Sequence, residues 1–215
     1  MPLEGHQGGE VMPDIYLVGV GGQGIITASK IIGDAALLAG KNVLLSETHG
    51  MAQRGGSVVC TARIGEVHSP LIPAGRVDVI LSFELLETMR ASCNASKRTV
   101  VISSTERIVP LSVSSQKLSY PTLEEVRATV MQSAKEFVAI DAVRLAEDAG
   151  AKMSTNVVMV GALAGTGITG LKRELFEEAI KMNIQSKQGE NLAAFGMGFL
   201  ETAKASNAWQ SLKTG

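Results

Sequence analysis

Apolar runs broken by glycine and polar turns recur along the first two thirds of the chain, alternating between strand-like and helix-like periods. Residues 15–20, IYLVGV, form a continuous apolar run of buried-strand length. Residues 23–39 follow as a helix whose polar positions Thr27, Lys30 and Asp34 recur every three to four residues, nearly all others being apolar. Gly40 suits the left-handed residue that ends a helix, and residues 43–45 begin a second buried strand, completing a βαβ opening. Residues 57–64 alternate as a third strand, separated from the second by only about eight residues. A parallel crossover needs a dozen or more. The third strand is therefore expected to run antiparallel to the second or to lie at a sheet edge.

Gly65, Pro70 and Pro73 mark turns around a short extended piece at 67–72. Residues 78–83 and 98–103 read as strands with a helix at 84–92 between them, and 108–120 as extended and irregular. After Pro121, Thr122 and Glu125 have capping-box spacing for a helix reaching about residue 135. A short strand at 137–140 leads to a helix at 142–149, capped by Asp141 and ended by Gly150. The last third is helical, at 156–164, 171–182 and 190–203, with Leu175, Phe176, Ala179 and Ile180 on one face of the middle helix. Gly161, Gly165 and Gly167, with Gly196 and Gly198, are expected to let backbones approach closely. The pattern predicts a single three-layer α/β/α domain over 12–205, with a mixed, mostly parallel sheet and a helical C-terminal third. Residues 1–11 read as a flexible arm and 206–215 as a tail.

Composition narrows the function classes. Twenty Lys and Arg stand against 21 Asp and Glu, so the chain lacks the basic field of a nucleic-acid binder. Mean hydropathy is positive, yet no apolar run approaches the ~20 residues that cross a bilayer. No membrane association is expected, and MPLEGHQGGEV lacks the pattern of a signal peptide. The two cysteines, Cys60 and Cys93, form no C-x-x-C, whereas a thiolate-ligated iron–sulfur cluster takes four ligands. Both fit a reducing cytoplasm as small buried hydrophobes. His6, His49 and His68 are scattered, so no metal site is expected. Aromatics at 4% imply an aliphatic core.

Two glycine-rich stretches carry the candidate chemistry. In VGVGGQGI, Gly19, Gly21 and Gly24 match G-x-G-x-x-G, and Glu47 ends the next strand where a ribose-binding acid would stand. The turn suits a pyrophosphate at a helix N-terminus, and equally a tight turn that packs without a ligand. In THGMAQRGGS, Arg54 stands between Gln53 and the Gly55–Gly56 pair, displaying five donors suited to carboxylate or phosphate. If the first two strands adjoin, both loops flank one sheet edge. His49 suits either a base near neutral pH or a loop residue bonded to backbone. Glu84, Glu87, Glu124 and Glu125 read as solvated helix positions. No nucleophile–base–acid set is present, so the chain reads as a binding module or an incomplete enzyme.

The two loops in this spacing resemble the gamma domain of the 2-oxoacid:ferredoxin oxidoreductases. So do SPLIPAGRVDVILSFELLE, YP before a helix, IDAVRLAEDAG, NVVMVGAL and NLAAFGMGF. The likeness covers residues 12–205. HGMAQRGGS, SPLIP and FELLE are most similar to the indolepyruvate, or arylpyruvate, branch and its beta subunit. The resemblance implies a subunit of a complex that oxidatively decarboxylates 2-oxoacids to acyl-CoA and reduces ferredoxin. A large alpha subunit is expected to carry thiamine diphosphate and 4Fe–4S clusters, with CoA as co-substrate, and homodimer contacts are open. It assigns no catalytic residue here. The expected contact surface is Gly19, Gly21, Gly22, Gln23 and Gly24 with His49, Gln53, Arg54, Gly55 and Gly56, toward the partner or CoA. Gamma subunits of pyruvate, 2-oxoglutarate or branched-chain enzymes are the alternative within the family. A self-contained NAD(P)-binding reductase is the alternative outside it.

Overall fold

The strands β1 (Asp14–Val20), β2 (Val43–His49), β3 (Ser57–Ile64), β4 (Val79–Ser82), β5 (Val100–Ser104) and β6 (Glu136–Ile140) form a sheet in the order β2-β3-β1-β4-β5-β6. The structure, a computed structural model, describes residues 12–49, 56–108 and 119–213, with the side chains of His49 and of 204–213 left aside. β1, β4, β5 and β6 run parallel, and β3 is antiparallel to both its neighbours. The antiparallel direction follows from the short β2–β3 connection. The expected adjacency of the first two strands does not occur: β3 folds back from β2 and inserts between it and β1, which leaves β2 at the edge.

Helices cover the sheet unevenly. On one face α2 (Leu85–Ala91) and α3 (Leu123–Ser133) pack over Val18, Ile80, Val101 and Phe137. On the other lie α1 (Ile25–Leu38) and α5 (Thr155–Gly165), backed on their outer side by α6 (Arg173–Asn183) and α7 (Gln188–Lys213). α4 (Ala142–Asp148) leads from β6 into this layer. α5 is apolar on every side because it is enclosed on every side, and all residues from Asn156 to Gly165 are buried.

Local signals act as their chemistry dictates. Thr122 and Glu125 form the reciprocal capping box, and Asp141 accepts from the Arg144 N–H. Gly40 and Gly150 end α1 and α4 at φ 71° each. α1 starts two residues later than its apolar pattern, at Ile25, because Gly22 (φ 107°) and Gly24 (φ 75°) lie in the left-handed region. Residues 67–72 form no strand. They are strapped to β3 through Thr61 Oγ1 to the Pro70 carbonyl (2.7 Å) and Arg63 Nη1 to the Ser69 carbonyl (2.9 Å). The last helix runs to Lys213, beyond the end of its apolar pattern. Most of the stretch expected to be irregular, 109–118, lies outside the described residues.

The α5–α7 contact is made backbone to backbone. A Cβ on Gly161 would fall 2.1 Å from the Phe195 carbonyl oxygen, one on Gly165 2.2 Å from that of Phe199, and one on Gly198 2.0 Å from that of Val158. Gly196 and Gly167 do not share this role. A Cβ on Gly196 would meet only the Arg173 guanidinium at 3.6 Å, and Gly167 serves a turn at φ 68° with open space around it. Cys60 is fully buried, whereas Cys93 is exposed in the short 3-10 turn Ser92–Asn94, so only Cys60 is the small hydrophobe expected.

Gly161→Ala or Gly198→Ala should cost about 3 kcal/mol or more, because backbone on the opposing helix must move. A fall in Tm of roughly 6–12 °C is expected for a chain of this size. Gly196→Ala should leave Tm unchanged or raise it slightly, through better helix propensity. Thermal unfolding of the three variants checks this. Burial pushes the Cys60 thiol up to about 11. Iodoacetamide at pH 8 should therefore alkylate Cys93 in the folded protein and reach Cys60 only after unfolding, as mass spectrometry would record.

Candidate functional site

The sheet changes its direction of winding at β1: the chain leaves toward β2 on one side and returns to β4 on the other. In an open α/β sheet the crevice beyond the carboxyl ends of such strands is where ligands sit. Here it lies between the turn 20–24 and the β4–α2 junction at Phe83–Glu84, and the Gln23 side chain spans it. Gln23 Oε1 accepts from the Val20 N–H (2.8 Å), while Nε2 donates to the Phe83 carbonyl (2.7 Å) and to Glu106 Oε2 (3.0 Å). Gly19 is glycine for this reason. A Cβ there would stand 2.8 Å from Gln23 Oε1 and 2.9 Å from Phe83 Cβ.

The remaining glycines have separate tasks. Gly21 donates its N–H to the Gly56 carbonyl (2.9 Å), tying the turn to the start of β3. Gly22 is exposed with nothing near its Cα, and is the open point of the turn. Gly24 precedes α1 in a left-handed conformation, and a Cβ on it would lie 2.6 Å from Asn156 Nδ2, which donates to the Gly24 carbonyl (3.3 Å). Asn156 thus roofs the N-terminus of α1 from the start of α5.

The second loop is reached at both ends. Gly19, Val58 and His49 share one row across β1, β3 and β2. That places the His49 backbone two strand spacings, roughly 10 Å, from Gly19. Gly56 is brought against the turn, while Gln53, Arg54 and Gly55 lie outside the described residues. Glu47 is exposed on β2 with β3 between it and β1, so it does not stand beside the turn as a ribose acid would.

Two acids read as solvated are buried. Glu84 is 1% exposed and caps α2, its carboxylate accepting from the N–H groups of Glu87 (2.9 Å) and Ile108 (3.2 Å). Burial raises its pKa, against the opposing pull of those N–H groups. Glu87 is 3% exposed and accepts from Ser57 Oγ (2.6 Å) and Arg90 Nη1 (2.5 Å). Glu124 and Glu125 are exposed, as expected. Glu84, Glu87, Glu106, Ser57 and Asn156 complete the sheet edge; all but Glu106 lie in the stretches quoted from the sequence, yet none belongs to the expected contact surface. A separate concavity of about 230 Å³ opens over the other half of the sheet, lined by Tyr16, Ser46, Thr48, Val59, Thr61, Leu71 and Ile72. None of the residues expected at the contact surface borders it, although Leu71 and Ile72 belong to the SPLIP stretch.

The arrangement holds a polar turn at the sheet's carboxyl edge with its crevice filled from within. That suits contact with another surface better than enclosure of a dinucleotide. Among the described residues, no three of His, Cys, Asp and Glu converge as metal ligands, and no helix is long and apolar enough to cross a membrane.

Comparison with known proteins gives the family and the fold. The family described as pyruvate ferredoxin/flavodoxin oxidoreductase matches residues 14–201. The indolepyruvate oxidoreductase subunit IorB of Archaeoglobus fulgidus is 44% identical over 187 residues, covering 86% of this chain and 93% of that protein. Its counterpart in Methanothermobacter thermautotrophicus is 42% identical over 193 residues, covering 89% and 98%. The fold recurs at a TM-score of 0.69 and 19% identity in 2-oxoglutarate:ferredoxin oxidoreductase from Magnetococcus marinus, solved with 2-oxoglutarate, coenzyme A and succinyl-CoA bound. That match spans 92% of this chain and 32% of the other. The chain therefore belongs to the pyruvate ferredoxin/flavodoxin oxidoreductase family, among the subunits of 2-oxoacid:ferredoxin oxidoreductases.

Proposed function

We propose that the chain is the small, cluster-free subunit of an indolepyruvate-type oxidoreductase in the cytoplasm, acting only within a complex. The observation that carries this reading is the filled crevice. Gln23 occupies the space a dinucleotide would need, leaving a braced turn that another surface can meet. Identity to the indolepyruvate oxidoreductase subunits over most of both chains supports the substrate class.

The iron–sulfur and thiamine chemistry belongs to a larger partner. This chain has two cysteines, one of them sealed in the core, against the four thiolates a cluster requires. The partner would hold thiamine diphosphate, a cofactor that supplies carbanion stabilisation, and 4Fe–4S clusters that would supply the electron path to ferredoxin. The role of this chain is to complete the assembly at the edge formed by Gly19, Gly21, Gly22, Gln23, Gly24, His49 and Gly56. Arg54, with Gln53 and Gly55, meets an anion there, either a carboxylate of the partner or a phosphate of CoA.

Anaerobic purification from the native cells should recover the chain with a large brown partner that oxidises indolepyruvate in preference to pyruvate, 2-oxoglutarate or branched-chain oxoacids. The separated chain should be inactive and show no saturable NAD(P) binding. A colourless chain recovered alone and active as a reductase would sink the reading. In the reconstituted complex Arg54→Ala should raise the KM for CoA or weaken subunit affinity about tenfold, the scale of one lost charge-assisted hydrogen bond. Steady-state kinetics and a subunit titration check both arms.

A further inference from the structure

The turn 20–24 is braced largely from outside itself. Three of its five residues are glycines, which lack the side chains that restrict a backbone. Within it the structure records one backbone bond, from the Gln23 N–H to the Val20 carbonyl (3.1 Å). A second internal bond runs from the Val20 N–H to Gln23 Oε1 (2.8 Å). The other restraints come from outside, and two of them end on carboxylates, Glu106 and the last residue of FELLE, Glu87.

The first runs through Gln23. Glu106 takes the Gln23 amide at 3.0 Å and is itself fixed by its backbone, with its N–H donating to Ser104 Oγ (3.1 Å) and its carbonyl accepting from the Leu85 N–H (3.1 Å). The second runs through β3. Gly21 is bonded to the Gly56 carbonyl, and the next residue, Ser57, donates its hydroxyl to buried Glu87 at 2.6 Å. Glu87 lies on α2, and Glu106 is bonded to the first residue of α2. Both restraints are thus anchored to one short helix.

Resting on the subunit reading above, we infer that Glu106 and Glu87 are positioning residues of the oxidoreductase. Acting through Gln23 and through Ser57–Gly56, they set the turn in the form that meets the partner subunit or CoA. Neither touches reacting atoms. Their loss changes how well the surface is presented, leaving the chemical step intact once the complex is saturated.

The test uses the complex reconstituted with its large subunit and four variants, with Arg90→Ala as control, since Arg90 pairs with Glu87 without reaching Ser57. Glu106→Ala and Ser57→Ala should each raise the KM for CoA or the Kd for the large subunit about five- to tenfold, with kcat at saturation within twofold and Tm unchanged. Glu106→Gln retains an oxygen that can accept from the Gln23 amide, and Ser57→Thr retains the hydroxyl, so both should recover most of the loss. Arg90→Ala should stay within twofold. In the isolated chain, amide exchange at Val20 should quicken in Glu106→Ala and at Gly21 in Ser57→Ala, and the conservative variants should restore protection.

Alanine variants within twofold of wild type in KM, Kd and amide exchange overturn the inference. So does a loss shared by the conservative variants and accompanied by a fall in Tm, which marks a merely structural role. If the wild-type chain neither binds the large subunit nor supports turnover, the subunit reading fails. If wild type succeeds and the variants match it, only the bracing inference fails.

Discussion

Residues 50–56 leave no room for a crossover, and much of the molecule depends on that constraint. A parallel return would need a dozen or more residues passing over a face of the sheet. β3 therefore turns back beside β2, offers its far edge to β1 over the whole register from Asp14–Arg63 to Val20–Ser57, and displaces β2 to the rim. The opening βαβ unit keeps its parallel sense but loses its contact. An acid at the end of β2 then stands two strand spacings from the turn after β1, too far to share one ribose with it. The same insertion brings the end of the second glycine stretch, Gly56, directly onto the first. One short connection thus parts Glu47 from the turn after β1 and creates a joined loop edge.

Filling the crevice from within has an energetic logic. The strand ends at Val20 and Phe83 present an N–H and a carbonyl that a bound ligand or water would otherwise have to satisfy, since buried backbone polar groups left unpaired are costly. Gln23 satisfies both with one amide, its oxygen toward Val20 and its nitrogen toward Phe83, and still has a proton for Glu106. A glutamate at position 23 could accept but not donate, and would face Glu106 as a like charge. A neutral amide is the side chain the geometry calls for.

Much of this edge was legible in the chain and some of it was not, along a physical divide. Features set by local chemistry could be read: a third strand that is antiparallel or at an edge, from its connection length, the Thr122–Glu125 capping box, the helix that became α5, and the glycine turn itself. Features set by contacts distant in sequence could not. Gln23 meets Glu106 across 83 positions, and Asn156 meets Gly24 across 132. Glu84 and Glu87 have the three-residue spacing of a solvated helix face, yet α2 is buried at its start, where their carboxylates take up N–H and hydroxyl groups. Gly196 and Gly198 are alike in composition, but two residues turn a helix by about 200°, so only one can face α5.

The glycine contact between α5 and α7 bears on the edge as well, although it lies in the helical third. Asn156 reaches the Gly24 carbonyl because α5 is seated with its first turn over the start of α1. That seat is set where Gly161, Gly165 and Gly198 allow the two backbones to touch, with Thr202 Oγ1 adding a bond to the Ala162 carbonyl (2.8 Å). Packed elements transmit strain because interiors are close-packed. A side chain forced between α5 and α7 therefore displaces α5 as a body and carries Asn156 away from Gly24. The turn is thus held from three directions, by β3, by α2 and β5, and by the α5–α7 pair. The helical third contributes by setting where α5 begins.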